Sequence, residues 1–224
     1  MTQSLLGPYR VTAFNTAAQS ENKIHEDEVA RRFGFKGGLV PGVEVYAYMT
    51  HLPVMRWGRA WLEHGRAECR LLKPVYDGAG VAVSAAETGT GLDIRVESDG
   101  VLCATGSASL PEAPGPAPAV FAETAPAPAP PADRPQADAR TLAAGTRLAI
   151  QPFRIDEGEA QRYLRDIRET LPLYDAEGVV HPGTILHIGN WALRHNVVLG
   201  PWMHVGSRVE HFAAAHLGDE LSAH

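Results

Sequence analysis

The segment after Gly42, VEVYAYM, is apolar on nearly every side of a helical projection and meets its first helix-breaking residue at Pro53. A helix with no polar face has nowhere to sit but a core, so this one is predicted to be buried. What could bury it follows in the chain. RAECRLLKPV, GVAVSAAET, LDIRVES and VLCATGSASL read as four strands joined by the Gly and Asp turns DGAG, GTG and SDG, an antiparallel meander. YRVTAFNT (Tyr9 to Thr16) reads as a fifth, rich in β-favouring residues and ending at polar turn formers. Between it and the apolar helix, His25 to Phe33 carries Glu26, Asp27 and Glu28 in a first turn, Arg31 and Arg32 near the end and Gly34 as a stop. That order suits a helix dipole at both ends. The predicted unit is a five-stranded sheet wrapped on one apolar helix.

The apolar pattern then stops. Nine of the 17 prolines fall between Pro111 and Pro135, in a run of Pro and Ala with little large apolar surface. It reads as a semi-rigid linker, dividing the chain into units at 1–110 and 141–224 with the linker at 111–140. The second unit repeats landmarks of the first about 140 residues later. GGLVPG (Gly37 to Gly42) before one apolar helix matches GVVHPG (Gly178 to Gly183) before TILHIGNWAL, and LLKPVYDG (Leu71 to Gly78) matches HFAAAHLG (His211 to Gly218), each read as a strand running into a glycine turn. Two landmarks at nearly one offset argue for duplication. From Gly78 the first unit continues to Leu110, whereas from Gly218 only six residues remain. The second sheet is therefore expected to be truncated, its cover supplied by a longer chain or by another copy in a homodimer or higher oligomer. The stretch IDEGEAQRYLRDIRE has Asp156 and Glu159 at capping-box spacing and reads as an ordinary amphipathic helix.

Taken together, the NxxHxxxxA run (Asn22, His25, Ala30), the LVPG segment and the strand ending PVYDG resemble the MaoC-like (R)-specific enoyl-CoA hydratases and dehydratases of the hotdog fold. HPG, the helix behind it and PWMHVGSRVEHF resemble the partner half of double hotdog proteins. The resemblance implies an α+β double hotdog acting on an acyl-CoA or acyl-ACP thioester, with no cofactor. It places a catalytic Asp five residues before the His, but here that position is Ser20. A hydroxyl is no general base at neutral pH without a helper. His25 is then the acid/base group with Glu21, one position on, or Ser20 itself as its partner, unless the acidic partner comes from the other half or subunit. The resemblance also puts the thioester carbonyl at the N-terminus of the central helix, near Gly42, where free N–H groups and the dipole stabilise an oxyanion. Asn22, Val40, Val43 and Tyr46 complete the implied substrate-binding set. Plainer readings stand beside these: His25 in surface ion pairs with the acids after it, Asn22 as a turn or cap residue, Tyr46 as core, and His181 as a turn residue before Pro182. Nothing in the second unit corresponds to Asn22 and His25, so it is expected to shape an acyl tunnel without supplying chemistry.

Charge and composition narrow the alternatives. A formal charge of −6 with no basic stripe argues against a nucleic-acid binder, and no apolar run approaches a membrane span. A cytoplasmic protein is expected. Cys69 and Cys103 fall in strand-like segments without a CxxC pair and read as buried free thiols. His204, His211 and His216 lack a HExxH or close carboxylate arrangement, so no metal site is expected. A hotdog thioesterase and a non-catalytic acyl-binding or assembly subunit remain the competing functions.

Overall fold

The structure is a computed structural model describing residues 4–116, 129–148 and 150–223. At its centre lies α2 (Gly42–Trp57), buried without interruption from Val43 to Val54. The helix does not stop at Pro53 as the sequence led us to expect; it runs through to Trp57 and ends at Gly58, whose φ is +58°. An internal proline costs a helix about 3 kcal/mol. Burial of Leu52, Pro53 and Val54 in the core offsets that loss.

Around α2 curls an antiparallel sheet built from β1 (Leu5–Thr12), β2 (Arg66–Leu71), β3 (Gly80–Glu87), β4 (Leu92–Ser98) and β5 (Val101–Ser109). Strict alternation along β4 buries Leu92, Ile94, Val96 and Ser98 and exposes Asp93, Arg95 and Glu97, the signature of a sheet with one covered face. A 3-10 turn (Lys23–His25) leads into α1 (Asp27–Arg32), and α3 (Arg59–His64) links α2 to β2. Cys69 and Cys103 are free and buried.

The second unit contributes β6 (Phe153–Arg154), α4 (Glu157–Asp166), α5 (Leu173–Glu177), α6 (Pro182–Asn196), β7 (Gly206–Glu210) and β8 (Glu220–Leu221). Strand β7 pairs with β2, so the first sheet reads β1-β3-β4-β5-β2-β7, while β6 and β8 form a small sheet of their own. The internal repeat is physical. Leu39 bridges Tyr76 and Val179 bridges His216, while Val40 N–H donates to Val75 O at 2.9 Å and Val180 N–H to Ala215 O at 2.8 Å. These contacts correct one sequence reading: LLKPVYDG and HFAAAHLG are not strands but equivalent excursions that follow β2 and β7 and end in left-handed Gly78 and Gly218. Of the Pro/Ala stretch, 117–128 lie outside the described residues. Its far end packs on the second unit, where Val198 N–H donates to Pro135 O and Ala137 N–H to Val198 O.

A buried carboxylate joins the halves. Glu169, just beyond α4, faces His51 Nδ1 of α2 at 2.9 Å and His181 Nε2 at 3.7 Å, and accepts N–H bonds from Thr170 and Leu171. Burial opposes its charge, but His181 and His51 hold its pKa far below the usual carboxylate range. His181 is the N-cap of α6, its Nδ1 accepting from Gly183 N–H. No helix among the described residues is long and apolar enough to cross a membrane.

Candidate functional site

The start of α2, the turn before α1 and the helices α4 and α6 surround a cavity of about 510 Å³, within the range that holds small-molecule ligands. From the first unit Thr16, Ser20, Asn22, His25, Pro41, Gly42 and Glu44 reach it; from the second come Tyr163, His187, Arg194, Trp202 and His204 among others. The second half thus supplies titratable groups as well as walls, against the sequence expectation.

His25 ends the 3-10 turn with both ring nitrogens engaged. Its Nδ1 lies 2.7 Å from Leu39 O, and its Nε2 lies 3.2 Å from the Asn22 side-chain nitrogen. A carbonyl only accepts, so Nδ1 carries the proton and Nε2 is left as the basic lone pair. Burial is the main reason the His25 pKa falls below its ordinary value, with the Leu39 bond and the Glu44 charge opposing and His187 adding to the fall. The surface ion-pair reading of His25 is corrected: the acids beside it pair with Lys23, Arg31 and Arg32 instead. Asn22 does not cap the turn. Its amide spans to the second unit, donating to Trp202 O at 2.9 Å and accepting from Trp202 N–H at 3.2 Å.

Glu44, one turn into α2, is fully buried and was missed at the sequence level. Thr16 hydroxyl donates to its Oε1 at 2.6 Å, Tyr163 hydroxyl to its Oε2 at 2.7 Å, and His187 Nε2 lies 2.8 Å from Oε1. Burial pushes against ionisation, yet His187, Thr16 and Tyr163 together keep the carboxyl below its usual range. The Tyr163 phenol is driven up by burial and by that charge. An ionised carboxylate thus fixes the His187 ring at the cavity wall, a carboxylate–histidine pair with the ring oriented by its partner. Its one available signal was that Glu44 is the sole acid in the long apolar helix.

Glu44 N–H and Val45 N–H both bond Pro41 O, whereas among the described residues the N–H groups of Gly42 and Val43 have no acceptor. Of the two residues Gly42 lines the cavity, so its N–H is the one placed to meet an oxyanion. The space a side chain on Gly42 would need is taken by Leu71 and by His204, whose Nδ1 would lie 2.8 Å from a Cβ. Packing, not only ligand approach, therefore requires glycine here. On the far side a second, mainly apolar cavity of about 230 Å³ is lined by Ile24, Phe35, Val40, Leu72, Val75 and Met203 among others. His25, Gly42, Trp202 and His204 line both cavities, so a polar and an apolar cavity share a wall at the start of α2.

Of the sequence-selected residues, Ser20, Asn22, His25 and Gly42 meet at the first cavity and Val40 at the second. Glu21 does not join them: it is exposed and paired with Arg134 at 3.0 Å, which is the main reason its pKa is lowered. Val43 and Tyr46 point into the core, where the Tyr46 hydroxyl is buried without a partner among the described residues. Nor is there among the described residues a group of three or more His, Cys, Asp or Glu able to hold a metal ion.

No protein-family model and no curated protein matches the chain. Among solved structures, it is similar to a double hotdog protein of Mycobacterium tuberculosis, with a TM-score of 0.61 at 18% identity over 99% of this chain and 82% of that one. It is also similar to a MaoC domain protein dehydratase from Chloroflexus aurantiacus, with a TM-score of 0.55 at 14% identity over 96% and 78%. A third, described as a MaoC-like dehydratase, gives 0.55 at 13% identity over 98% and 86%. With the repeat and the wrapped helix, these likenesses define the chain as an α+β double hotdog protein.

Proposed function

We propose that this protein is a hydratase or dehydratase of acyl thioesters, of the MaoC-like kind. The observation that carries the reading is the convergence of His25, with its tautomer fixed by Leu39 O, and Gly42, whose N–H at the start of α2 has no acceptor among the described residues, on one cavity. In the hydration direction the thioester oxygen of an enoyl substrate accepts from Gly42 N–H, which with the helix dipole stabilises the enolate as water adds at C3. His25 Nε2 takes the proton that water loses. A pKa below the ordinary histidine value keeps that nitrogen unprotonated at neutral pH, where it accepts from the Asn22 amide until water takes that place. The His187–Glu44 pair faces the polar cavity, where it orients water or the carrier arm. The two cavities that share this wall offer separate room for an acyl chain and its carrier.

The test is a panel beginning with crotonyl-CoA, followed by loss of the enoyl chromophore for hydration and by appearance of free thiol for hydrolysis. Enoyl loss without thiol release is the expected result, and His25→Ala should lower it by about 100-fold or more. Thiol release alone would make the protein a thioesterase. Binding without either signal would make it an acyl-binding subunit.

A further inference from the structure

Hydration also puts a proton on C2, and the helix amide that holds the thioester oxygen does not supply it. We infer that His204, from the second unit, is the group that exchanges the C2 proton of the bound acyl thioester; the inference rests on the thioester reading above.

Three observations converge on this imidazole. First, its tautomer is fixed: Nε2 lies 3.0 Å from Gly206 O and 2.7 Å from Ser207 Oγ. Because the carbonyl can only accept, Nε2 bears the hydrogen and Nδ1 is a bare lone pair. Second, that Nδ1 is buried with no hydrogen-bond partner among the described residues. An acceptor stripped of water and left unpaired is unfavourable, and a leucine or phenylalanine here would fill the space without that cost. Third, the ring stands against Gly42, its Nδ1 2.8 Å from the place a Cβ would occupy, and it lines both cavities. A thioester whose oxygen is held by the Gly42 N–H would bring its C2 beside this ring.

The lone pair is available near neutral pH. Burial lowers the His204 pKa, the Gly206 carbonyl opposes this, and His187 lowers it further. Of the titratable groups only His25 lines both cavities with it; Glu44, Glu159, Tyr163, Asp166, His187 and arginines line the first and Lys73 the second.

In dehydration of a 3-hydroxyacyl thioester, the C2–H bond breaks and its proton passes to His204 Nδ1, while the electron pair moves onto the thioester oxygen. The enolate then collapses to the C2=C3 double bond as the C3–O bond breaks. Hydroxide departs with a proton from protonated His25, leaving as water. Hydration is the reverse: His25 takes a proton from water and protonated His204 delivers one to C2. Solvent returns the pair to its starting state.

Acetoacetyl-CoA isolates the C2 step, since its C2 proton is acidic and its enolate has its own near-ultraviolet absorbance. His204→Gln keeps an amide donor toward Gly206 O but removes the base. The wild-type chain should bind acetoacetyl-CoA and accumulate enolate, while His204→Gln should bind it with similar affinity and lose at least about tenfold of the enolate. Nitrogen-15 imidazole spectra of the wild type give a readout that does not depend on the variant folding: His204 Nδ1 should gain a proton when acetoacetyl-CoA binds. Wild-type binding without enolate, enolate undiminished in His204→Gln, or an unprotonated Nδ1 in the enolate complex would each overturn the role of His204. In all three cases crotonyl-CoA hydration would leave the thioester reading standing. Absence of both acetoacetyl-CoA binding and crotonyl-CoA hydration would remove that reading and this inference together.

Discussion

Glu68 of β2 and Arg208 of β7 lie directly opposite each other across the seam between the two units, 140 residues apart in sequence, with the Arg208 guanidinium bonded to the Glu68 carboxylate. On either side of them the ladder mirrors itself: Ala67 faces Val209 and Cys69 faces Ser207, Arg66 faces Glu210 and Arg70 faces Gly206. With the repeat at the same offset, equivalent strands of the two units meet about a local two-fold centred on this pair.

Both partners are largely exposed, so the pair contributes little to stability and tests the seam gently. Arg208→Glu would set two carboxylates opposite one another and should cost on the order of 0.5–1 kcal/mol. Glu68→Arg with Arg208→Glu should recover most of it. Urea unfolding of the two singles and the double gives the coupling directly, and a coupling of zero would mean that this pair contributes nothing to holding β7 on β2.

Around His25, the structure separates the two partners that the sequence offered. Glu21 faces outward to Arg134, whereas Ser20 lines the cavity and its hydroxyl bonds Asn22 O at 3.3 Å. Glu21→Gln should leave hydration of crotonyl-CoA within about twofold of wild type, since it changes a surface ion pair. Ser20→Asp puts a carboxylate into the cavity and should raise the rate. Loss of activity in Glu21→Gln comparable with that of His25→Ala would instead require the turn to open and bring Glu21 inward.

The parts of the fold governed by local pattern were legible in the sequence. Gly and Asp turns marked β2 to β5, an apolar surround marked α2, and the Asp156–Glu159 capping box is present in both directions. The 140-residue spacing showed the duplication, although it misassigned the segments after Leu71 and His211 as strands, because apolar residues in an excursion over the core look like a strand. The site was legible only where a local run carried it, at Asn22, His25 and Gly42. Glu44 and His187 are 143 residues apart and His204 reaches Gly42 from the other unit. Neither neighbourhood exists until β7 joins β2 and α6 packs against α2. Pro53 shows the converse limit, a local breaker overruled by burial.

Glu44 is the buried charge with most to lose. Glu44→Gln would turn an amide N–H₂ toward groups that at present donate, leaving at least one donor among Thr16, Tyr163 and His187 unpaired in the interior. Uncompensated buried polar groups of this kind cost about 2–4 kcal/mol. The expected outcome is a well-folded protein at low temperature with a melting temperature lowered by several degrees and with the His187 ring released. Glu44→Gln with His187→Phe should lose less than the sum of the two singles, because the second change removes a donor that the first left stranded.

Acid should weaken the fold well before its carboxylates are protonated. His211 sits edge-on to Trp61 at 4.9 Å with Nε2 buried and without a partner among the described residues, and burial lowers its pKa from 6.5 to about 4. The unfolded chain therefore binds the extra proton first as pH falls. Stability is fully present above the unfolded value of 6.5 and is lost progressively down through the folded value near 4. A shift of that size corresponds to at most on the order of 3 kcal/mol. His25 and His204 are depressed in the same direction by the same cause and add to the slope, whereas the lowered carboxyls of Glu44 and Glu169 begin to contribute only below about their ordinary 4.5. Between about pH 7.5 and pH 5 the melting temperature should fall for the wild type, and fall less for His211→Phe, which keeps an aromatic edge toward Trp61 but cannot titrate. Parallel decline of the two proteins would assign the acid sensitivity to the cavity histidines instead, and His204→Gln would then be the variant with the flatter profile.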